Sequence, residues 1–146
     1  MSTDSNEQGA AKAIPPATSP SLRTLAMPAD TNPNGDIFGG WILAQMDLAG
    51  GTYASHLASG RVATVAITGM QFLKPVYVGD EVSVYCTTRR IGNTSIAVNV
   101  ETWVVRRSRD HLDQTSVEEK VTEGLFTFVA IDENGRPRPV KRQPTS

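Results

Sequence analysis

One stretch of the sequence decides the fold: Gly39-Gly40-Trp41-Ile42-Leu43-Ala44-Gln45-Met46-Asp47-Leu48-Ala49-Gly50-Gly51-Thr52-Tyr53-Ala54. Its apolar residues occupy nearly every side of a helical projection, and no Lys or Arg occurs from Gly39 to Gly60. A helix that is apolar all round is buried rather than lying on a surface. The stretch therefore predicts a buried helix over residues 39–57, with Gly60 as its C-cap.

Asp47 is the one charged residue in this stretch. Aspartate is a poor residue for a helix interior, and burying a carboxylate without a partner is unfavourable. The sequence leaves two interpretations open: Asp47 is a structural residue satisfied by hydrogen bonds, or it is used chemically.

Every element after the helix has the pattern of a β-strand. We expect strands over residues 61–73, with a bulge at Gly69, and over 81–91, 95–106 and 117–131, with a hairpin turn at Gly92-Asn93. A short strand over 22–27 precedes the helix. In the strand over 95–106 one face carries Ile96, Val98, Val100, Thr102 and Val104.

This order of elements predicts an α+β domain in which one helix packs on one antiparallel sheet. A single helix covers only one face of a sheet, and this helix also needs cover on its far side. Curling of the sheet around the helix, together with a second subunit, satisfies both needs. We therefore expect at least a homodimer.

The composition narrows the class of protein. The 146 residues suit one domain, and the net charge of -1 gives no reason to expect a nucleic-acid or membrane partner. We divide the chain into a disordered tail (1–20), a folded domain (21–134) and a polar C-terminal tail (135–146). The start of the chain lacks the pattern of a signal peptide. The single Cys86, which alternates with Val82 and Val84, predicts a packed core thiol in a reducing cytoplasm.

Three motifs in the chain resemble those of the hotdog-fold acyl-CoA thioesterases, and most closely those of the YciA-type branch. The first is Arg23-Thr24-Leu25-Ala26-Met27-Pro28, leading to Asn32-x-x-Gly35 and Phe38-Gly39-Gly40. The other two are Gln45-Met46-Asp47 and Phe72-Leu73-Lys74-Pro75-Val76-x-Val78-Gly79-Asp80. The resemblance implies a long central helix wrapped by a curved antiparallel sheet of about five strands. It also implies dimers joined sheet edge to sheet edge, and often a hexamer formed as a trimer of dimers.

The same resemblance implies active sites at the dimer interface, each with Asp47 from one subunit and Asn32 from the other. Many relatives have His at the position of Phe38, so Asp47 is the principal acid/base candidate. It would activate water or attack the thioester itself, and the sequence leaves that choice open. The competing interpretation of Asn32 is ordinary turn chemistry.

The predicted helix start is a candidate oxyanion site. Helix N-termini present unpaired N–H groups, and Gly39 and Gly40 leave room for a carbonyl to approach. We expect the N–H of Gly40, with that of Phe38 or Gly39, to polarise the thioester oxygen. The competing interpretation is that the glycine pair only permits close packing.

Coenzyme A carries phosphates, so a basic mouth to the site is expected. The candidates are Arg61, Lys74, Arg89 and Arg90, although any single surface cation is more often merely solvated. His56 and His111 have no spacing typical of a metal site, and no cofactor motif occurs. The leading hypothesis is an acyl-CoA thioesterase. The alternatives are a non-catalytic acyl-CoA-binding domain and a hydratase or dehydratase of the same fold.

Overall fold

The computed structural model of the protein describes residues 14–107 and 116–140. It has one long helix and five strands: β1 (Leu22–Leu25), α1 (Gly39–Ala58), β2 (Val62–Phe72), β3 (Glu81–Ile91), β4 (Ser95–Arg107) and β5 (Ser116–Ala130). A short 3-10 helix, Pro28–Asp30, lies between β1 and α1. The strands form one antiparallel sheet in the order β1-β3-β4-β5-β2. The predicted α+β order is confirmed.

The core lies between one face of the sheet and one side of α1. On β4 the predicted inner face is confirmed, because all five of its alternating side chains are fully buried. The four apolar ones belong to one cluster with Ile42, Met46 and Ala49 of the helix and with Phe126 and Phe128 of β5. Cys86 is buried in the same core, and burial raises the pKa of its thiol, as expected for a packed cysteine.

The other side of α1 is not covered by any of the described residues. Leu48 is 59% exposed, whereas Met46 is fully buried. Strand β2 is an edge strand, and its side chains Val65 and Ile67 are 56% and 37% exposed. The helix was predicted to be buried all round, but the described residues bury only one of its sides. Its exposed side lies next to the edge strand β2.

Two local predictions have different outcomes. Gly69 has a φ of 62° and lies where the β2–β5 register shifts, so the predicted bulge is confirmed. The predicted C-cap at Gly60 is wrong, because the left-handed residue that ends α1 is Ser59, with a φ of 52°. The N–H groups of Ser59 and Gly60 donate to the carbonyls of His56 and Ser55, which places the C-cap one residue earlier than predicted.

Residues after β5 return to the sheet. Ile131 pairs with Pro137, the N–H of Arg138 donates to the carbonyl of Ala130, and the N–H of Val140 donates to that of Asn93. Residues 14–20 have no helix or strand. The rest of the predicted N-terminal tail (1–13), the end of the C-terminal tail (141–146) and His111 lie outside the described residues. In the part of the chain that is described, no helix is long and apolar enough to span a membrane.

Candidate active site

Asp47 lies in the middle of α1, half-buried, on the side that faces strand β2. The hydroxyl of Thr64 on β2 donates a 2.7 Å hydrogen bond to its Oδ1. This bond fixes one carboxylate oxygen, and no hydrogen bond to the other occurs within the described residues. The sequence analysis missed Thr64, because a threonine in a strand is typical of strands and carries no signal of its own.

An open cleft of about 450 Å³ runs along the helix from Asp47. Its helical wall carries Asp47, Gly51 and Ser55, which share one side of the helix because they are four residues apart. The opposite wall is the start of β2. Arg61, one of the predicted basic residues, lies at this cleft and is exposed. The structure thus brings Arg61 and Asp47 to one cleft.

The N-terminus of α1 has free donors. Phe38 is the N-cap and supplies no side-chain acceptor. Its carbonyl accepts hydrogen bonds from the N–H groups of Trp41 and Ile42. The N–H groups of Gly39 and Gly40 have no acceptor among the described residues. The N–H of Phe38, by contrast, donates to the carbonyl of Asp30 at 3.1 Å. Phe38 is therefore unavailable for the oxyanion role that the sequence analysis allowed it.

The two glycines of the helix start differ in their surroundings. A Cβ on Gly39 would lie 3.4 Å from the ring of Phe72, which is an ordinary van der Waals contact. A Cβ on Gly40 would meet nothing within 4 Å. A small side chain would therefore fit at either position, so packing among the described residues does not require glycine at Gly39 or Gly40.

Asn32 organises the loop before the helix. Its Oδ1 accepts hydrogen bonds from the N–H groups of Asn34 and Asp36 at 3.0 and 3.1 Å, and its own N–H donates to the carbonyl of Asp36. The turn role is therefore present. The side-chain NH₂ group makes no hydrogen bond within the described residues, which leaves two donors for another partner.

The remaining predicted basic residues lie apart from Asp47. Lys74 lies in a second cleft, of about 280 Å³, together with Gly39, and its ammonium is 3.5 Å from Glu119. Arg89 lines a third cleft beside Asn99, and Arg90 pairs with Ala97. Asn99 and Ala97 alternate with the buried residues of β4, so Arg89 and Arg90 lie on the sheet face away from the helix.

Within residues 14–107 and 116–140, no cluster of three or more His, Cys, Asp or Glu side chains could hold a metal ion. His56 is exposed in the last turn of α1.

Comparison with known proteins identifies the family to which this fold and this site belong. Residues 34–108 match the thioesterase superfamily, and the chain belongs to it. The chain is 52% identical over 122 residues to the acyl-CoA thioester hydrolase YciA of Salmonella typhimurium, covering 84% of this chain and 90% of that protein. The predicted resemblance to the YciA-type branch is confirmed.

Solved structures of thioesterases superpose on this chain. The hexameric hotdog-fold thioesterase Cj0915 of Campylobacter jejuni superposes with a TM-score of 0.79 at 41% identity, covering 85% of this chain and 91% of that one. The hexameric broad-specificity acyl-coenzyme A thioesterase HI0827 gives a TM-score of 0.79 at 46% identity over 90% of this chain and 86% of that one. An aspartate-to-alanine mutant of that enzyme gives 0.80 at 48% identity, covering 85% and 87%. The predicted hotdog fold is confirmed.

Proposed function

We propose that this protein is an acyl-CoA thioesterase that hydrolyses acyl-CoA to a free carboxylic acid and CoA. One observation carries the proposal: a carboxylate, Asp47, is held by Thr64 at an open cleft in a fold whose relatives are acyl-CoA thioester hydrolases. The aspartate-to-alanine mutant of a related enzyme supports a catalytic role for such a carboxylate.

Geometry supports a site built from two subunits. Gly40 and Asp47 lie on one side of the same helix, but two turns of α-helix separate them by about 10.5 Å along the axis. An oxyanion donor must lie about 3 Å from the carbonyl oxygen that it polarises. Both groups of one chain therefore cannot touch the same carbonyl group, whereas Gly40 of one subunit and Asp47 of another can.

The open edge of β2 supports the dimer that such a site requires. Pairing of β2 with the same strand of a second copy would satisfy its unpaired backbone groups and join two sheets edge to edge. It would also cover Val65, Ile67 and Leu48, the exposed apolar side chains beside the cleft. We propose a homodimer of this kind and, as in the hexameric relatives, a trimer of dimers.

In the proposed reaction the thioester carbonyl binds at the helix start of one subunit. The N–H groups of Gly39 and Gly40 donate to its oxygen, and the NH₂ group of Asn32 orients the carbonyl or the water. Asp47 of the partner subunit takes a proton from water as the water oxygen attacks the carbonyl carbon. The C–S bond then breaks, the sulfur of CoA leaves with its electron pair, and Asp47 returns the proton to it.

Direct attack by Asp47 on the carbonyl is the other route, through an anhydride that water then opens. After a single turnover in H₂¹⁸O, label in Asp47 identifies direct attack, whereas label in the fatty acid alone fits the general-base route and also an anhydride that water opens at the acyl carbon. Direct attack puts no ¹⁸O into the first fatty acid if water opens the anhydride at Asp47, and the label then appears in Asp47. The general-base route labels the fatty acid and leaves Asp47 unlabelled.

The phosphates of CoA would be bound by cations. Arg61 borders the Asp47 cleft and Lys74 borders the helix start, so each lies at one half of the proposed site. Arg89 and Arg90, on the outer sheet face, would reach CoA bound to another copy in the assembly. If the Arg61→Ala and Arg90→Ala variants keep the wild-type KM for CoA esters, this assignment is wrong.

The single buried cysteine suits a reducing cytoplasm, where we place the reaction.

The test is thiol release from a panel of CoA esters, from short to long, by the wild-type protein and the Asp47→Asn variant. We expect turnover by the wild type and a loss of at least about 10³-fold in the variant, with folding and oligomeric state unchanged. Wild-type protein that binds acyl-CoA but hydrolyses none of the esters would overturn the proposal in favour of a non-catalytic acyl-CoA-binding domain.

A further inference from the structure

A second charged group lies outside the proposed site, at the loop between β2 and β3. The side chain of Asp80 is 4% exposed and forms a two-pronged ion pair with Arg106 of β4. Arg106 Nε lies 3.1 Å from Asp80 Oδ1, and Arg106 Nη2 lies 2.8 Å from Asp80 Oδ2. Hydrogen bonding to Asp80 raises the pKa of Arg106 above its ordinary value, so the guanidinium keeps its charge.

The ion pair is also hydrogen-bonded to the main chain of the loop. Oδ2 of Asp80 accepts the N–H of Tyr77 at 2.9 Å, and Nη2 of Arg106 donates to the carbonyl of Pro75 at 3.3 Å. The guanidinium also lies 4.7 Å from the centre of the Tyr77 ring. The residue enclosed between these contacts is Val76, which is 1% exposed.

Val76 connects this loop to the start of α1. Its carbonyl accepts the N–H of Ile37 at 3.2 Å, and Ile37 is 5% exposed. Ile37 lies two residues before Gly39, where the free N–H donors begin. The same loop carries Lys74, whose partner Glu119 also lies 3.5 Å from Nη1 of Arg106. A continuous series of contacts thus runs from Arg106 to the helix start.

We propose that Arg106, acting through Asp80, is a positioning residue that fixes the start of α1 and with it the donors of Gly39 and Gly40. This proposal rests on the proposed thioesterase function. A buried ion pair is weak evidence for stability, because its desolvation offsets much of its attraction, but a two-pronged Arg–carboxylate pair fixes direction and distance. Displacements of about 1 Å at a catalytic group are enough to reduce turnover by about 100-fold.

The test compares Arg106→Lys and Asp80→Asn with a matched control, Arg138→Ala. Lys keeps the charge but loses the planar fork, and Asn keeps the shape of Asp80 but loses its charge. Arg138 also donates to main-chain carbonyls, those of Ile131, Pro139 and Ala58, but it does so at the opposite end of the helix. Steady-state kinetics are measured at 25 °C, well below the thermal transition of each oligomer, with a CoA ester that the wild type turns over.

We expect kcat to fall by about 10- to 100-fold in Arg106→Lys and Asp80→Asn, and the double variant to be no worse than the poorer single variant. Arg138→Ala should lose thermal stability while its kcat stays within about twofold of the wild type. A merely structural role for Arg106 would lower Tm and leave kcat of the folded protein unchanged. Such a result, a change confined to KM, or failure of both variants to fold would overturn the proposal.

The Asp47→Asn variant in the same assay keeps the two claims separate. Wild-type turnover that disappears in Asp47→Asn establishes the thioesterase whatever Arg106 does. Absence of turnover in the wild type would overturn the proposed function, and the positioning role with it.

Discussion

The two ends of the central helix differ in whether their backbone groups are hydrogen-bonded. At the C-terminus Ser59 adopts the left-handed conformation, the hydroxyl of Ser55 donates to the carbonyl of Gly60, and Arg138 donates to that of Ala58 at 3.0 Å. At the N-terminus Phe38 supplies no side-chain acceptor, and the donors of Gly39 and Gly40 have no partner within the described residues.

This difference separates stability from function along one helix. An α-helix leaves unpaired N–H groups at its N-terminus and unpaired C=O groups at its C-terminus, so capping would stabilise either end. The capped end lies beside the return segment after β5, and its hydrogen bonds are formed within the chain. The uncapped end lies next to an open space at Gly40. We infer that the N–H groups stay free because the substrate carbonyl is their acceptor, and the predictions below test this contrast.

Among changes at the two helix ends, the largest effect is expected from Gly40→Pro. Proline removes the N–H but is tolerated in the first turn of a helix, and a Cβ on Gly40 would meet nothing within 4 Å. We expect kcat to fall by about 10²- to 10³-fold with little change in Tm. The control is Gly40→Ala, which keeps the N–H and should lose far less. Equal losses in the two variants would mean that space at Gly40, rather than its donor, is what the reaction requires.

Asn32→Asp should have the next largest effect. Aspartate keeps the oxygen that accepts from the N–H groups of Asn34 and Asp36, so the turn survives, but it lacks the NH₂ group. We predict a loss of about 100-fold in kcat and an almost unchanged Tm, both measured on the same preparation. Asn32→Ala loses the turn contacts as well. A melting temperature that falls in step with turnover for Asn32→Asp would favour the turn interpretation.

Arg138→Ala is expected to weaken the capped end. It removes the hydrogen bonds to the carbonyls of Ala58 and Ile131, which should lower stability by roughly 1–3 kcal/mol. Thermal unfolding followed by circular dichroism should show a lower Tm, while kcat at 25 °C is preserved. A variant that unfolds like the wild type but loses turnover would reverse the assignment of roles to the two helix ends.

Ser59→Gly gives the smallest expected effect and has the opposite sign. A non-glycine residue at a φ of 52° is strained, and glycine adopts this conformation freely. The change should stabilise the protein by up to about 1 kcal/mol, visible as a small rise in Tm with unaltered kinetics. A decrease in Tm would show that the Ser59 side chain contributes more than its conformation costs.

The sequence predicts the regular elements of the fold well, because their signals are local. Alternation along β4 identifies its buried face, and the start of α1 at Gly39 follows from the apolar run. The positions of Asp47 and Asn32 come from motif resemblance, and Asp47 is placed at a cleft as a usable carboxylate should be. These predictions need little information from distant parts of the chain.

The features that sequence reasoning missed all depend on contacts across the fold. Thr64 of β2 donates to Asp47, and Arg138, in the segment after β5, donates to the end of the helix. Gly60 was a reasonable C-cap from residue type alone, but its neighbour Ser59 takes the left-handed conformation. No local pattern specifies such pairings, since they are set when the strands assemble around the helix.

The central claim is that the open helix end of one subunit works with Asp47 of another. It is tested most directly by mixing two inactive variants, Asn32→Asp and Asp47→Asn, through coexpression or joint refolding. A mixed dimer then has one site with both changes and one intact site, so random assembly should restore about a quarter of wild-type activity. Activity that stays at the level of the separate variants, in mixtures shown to contain mixed dimers, would mean that each site lies within one chain and would contradict the account.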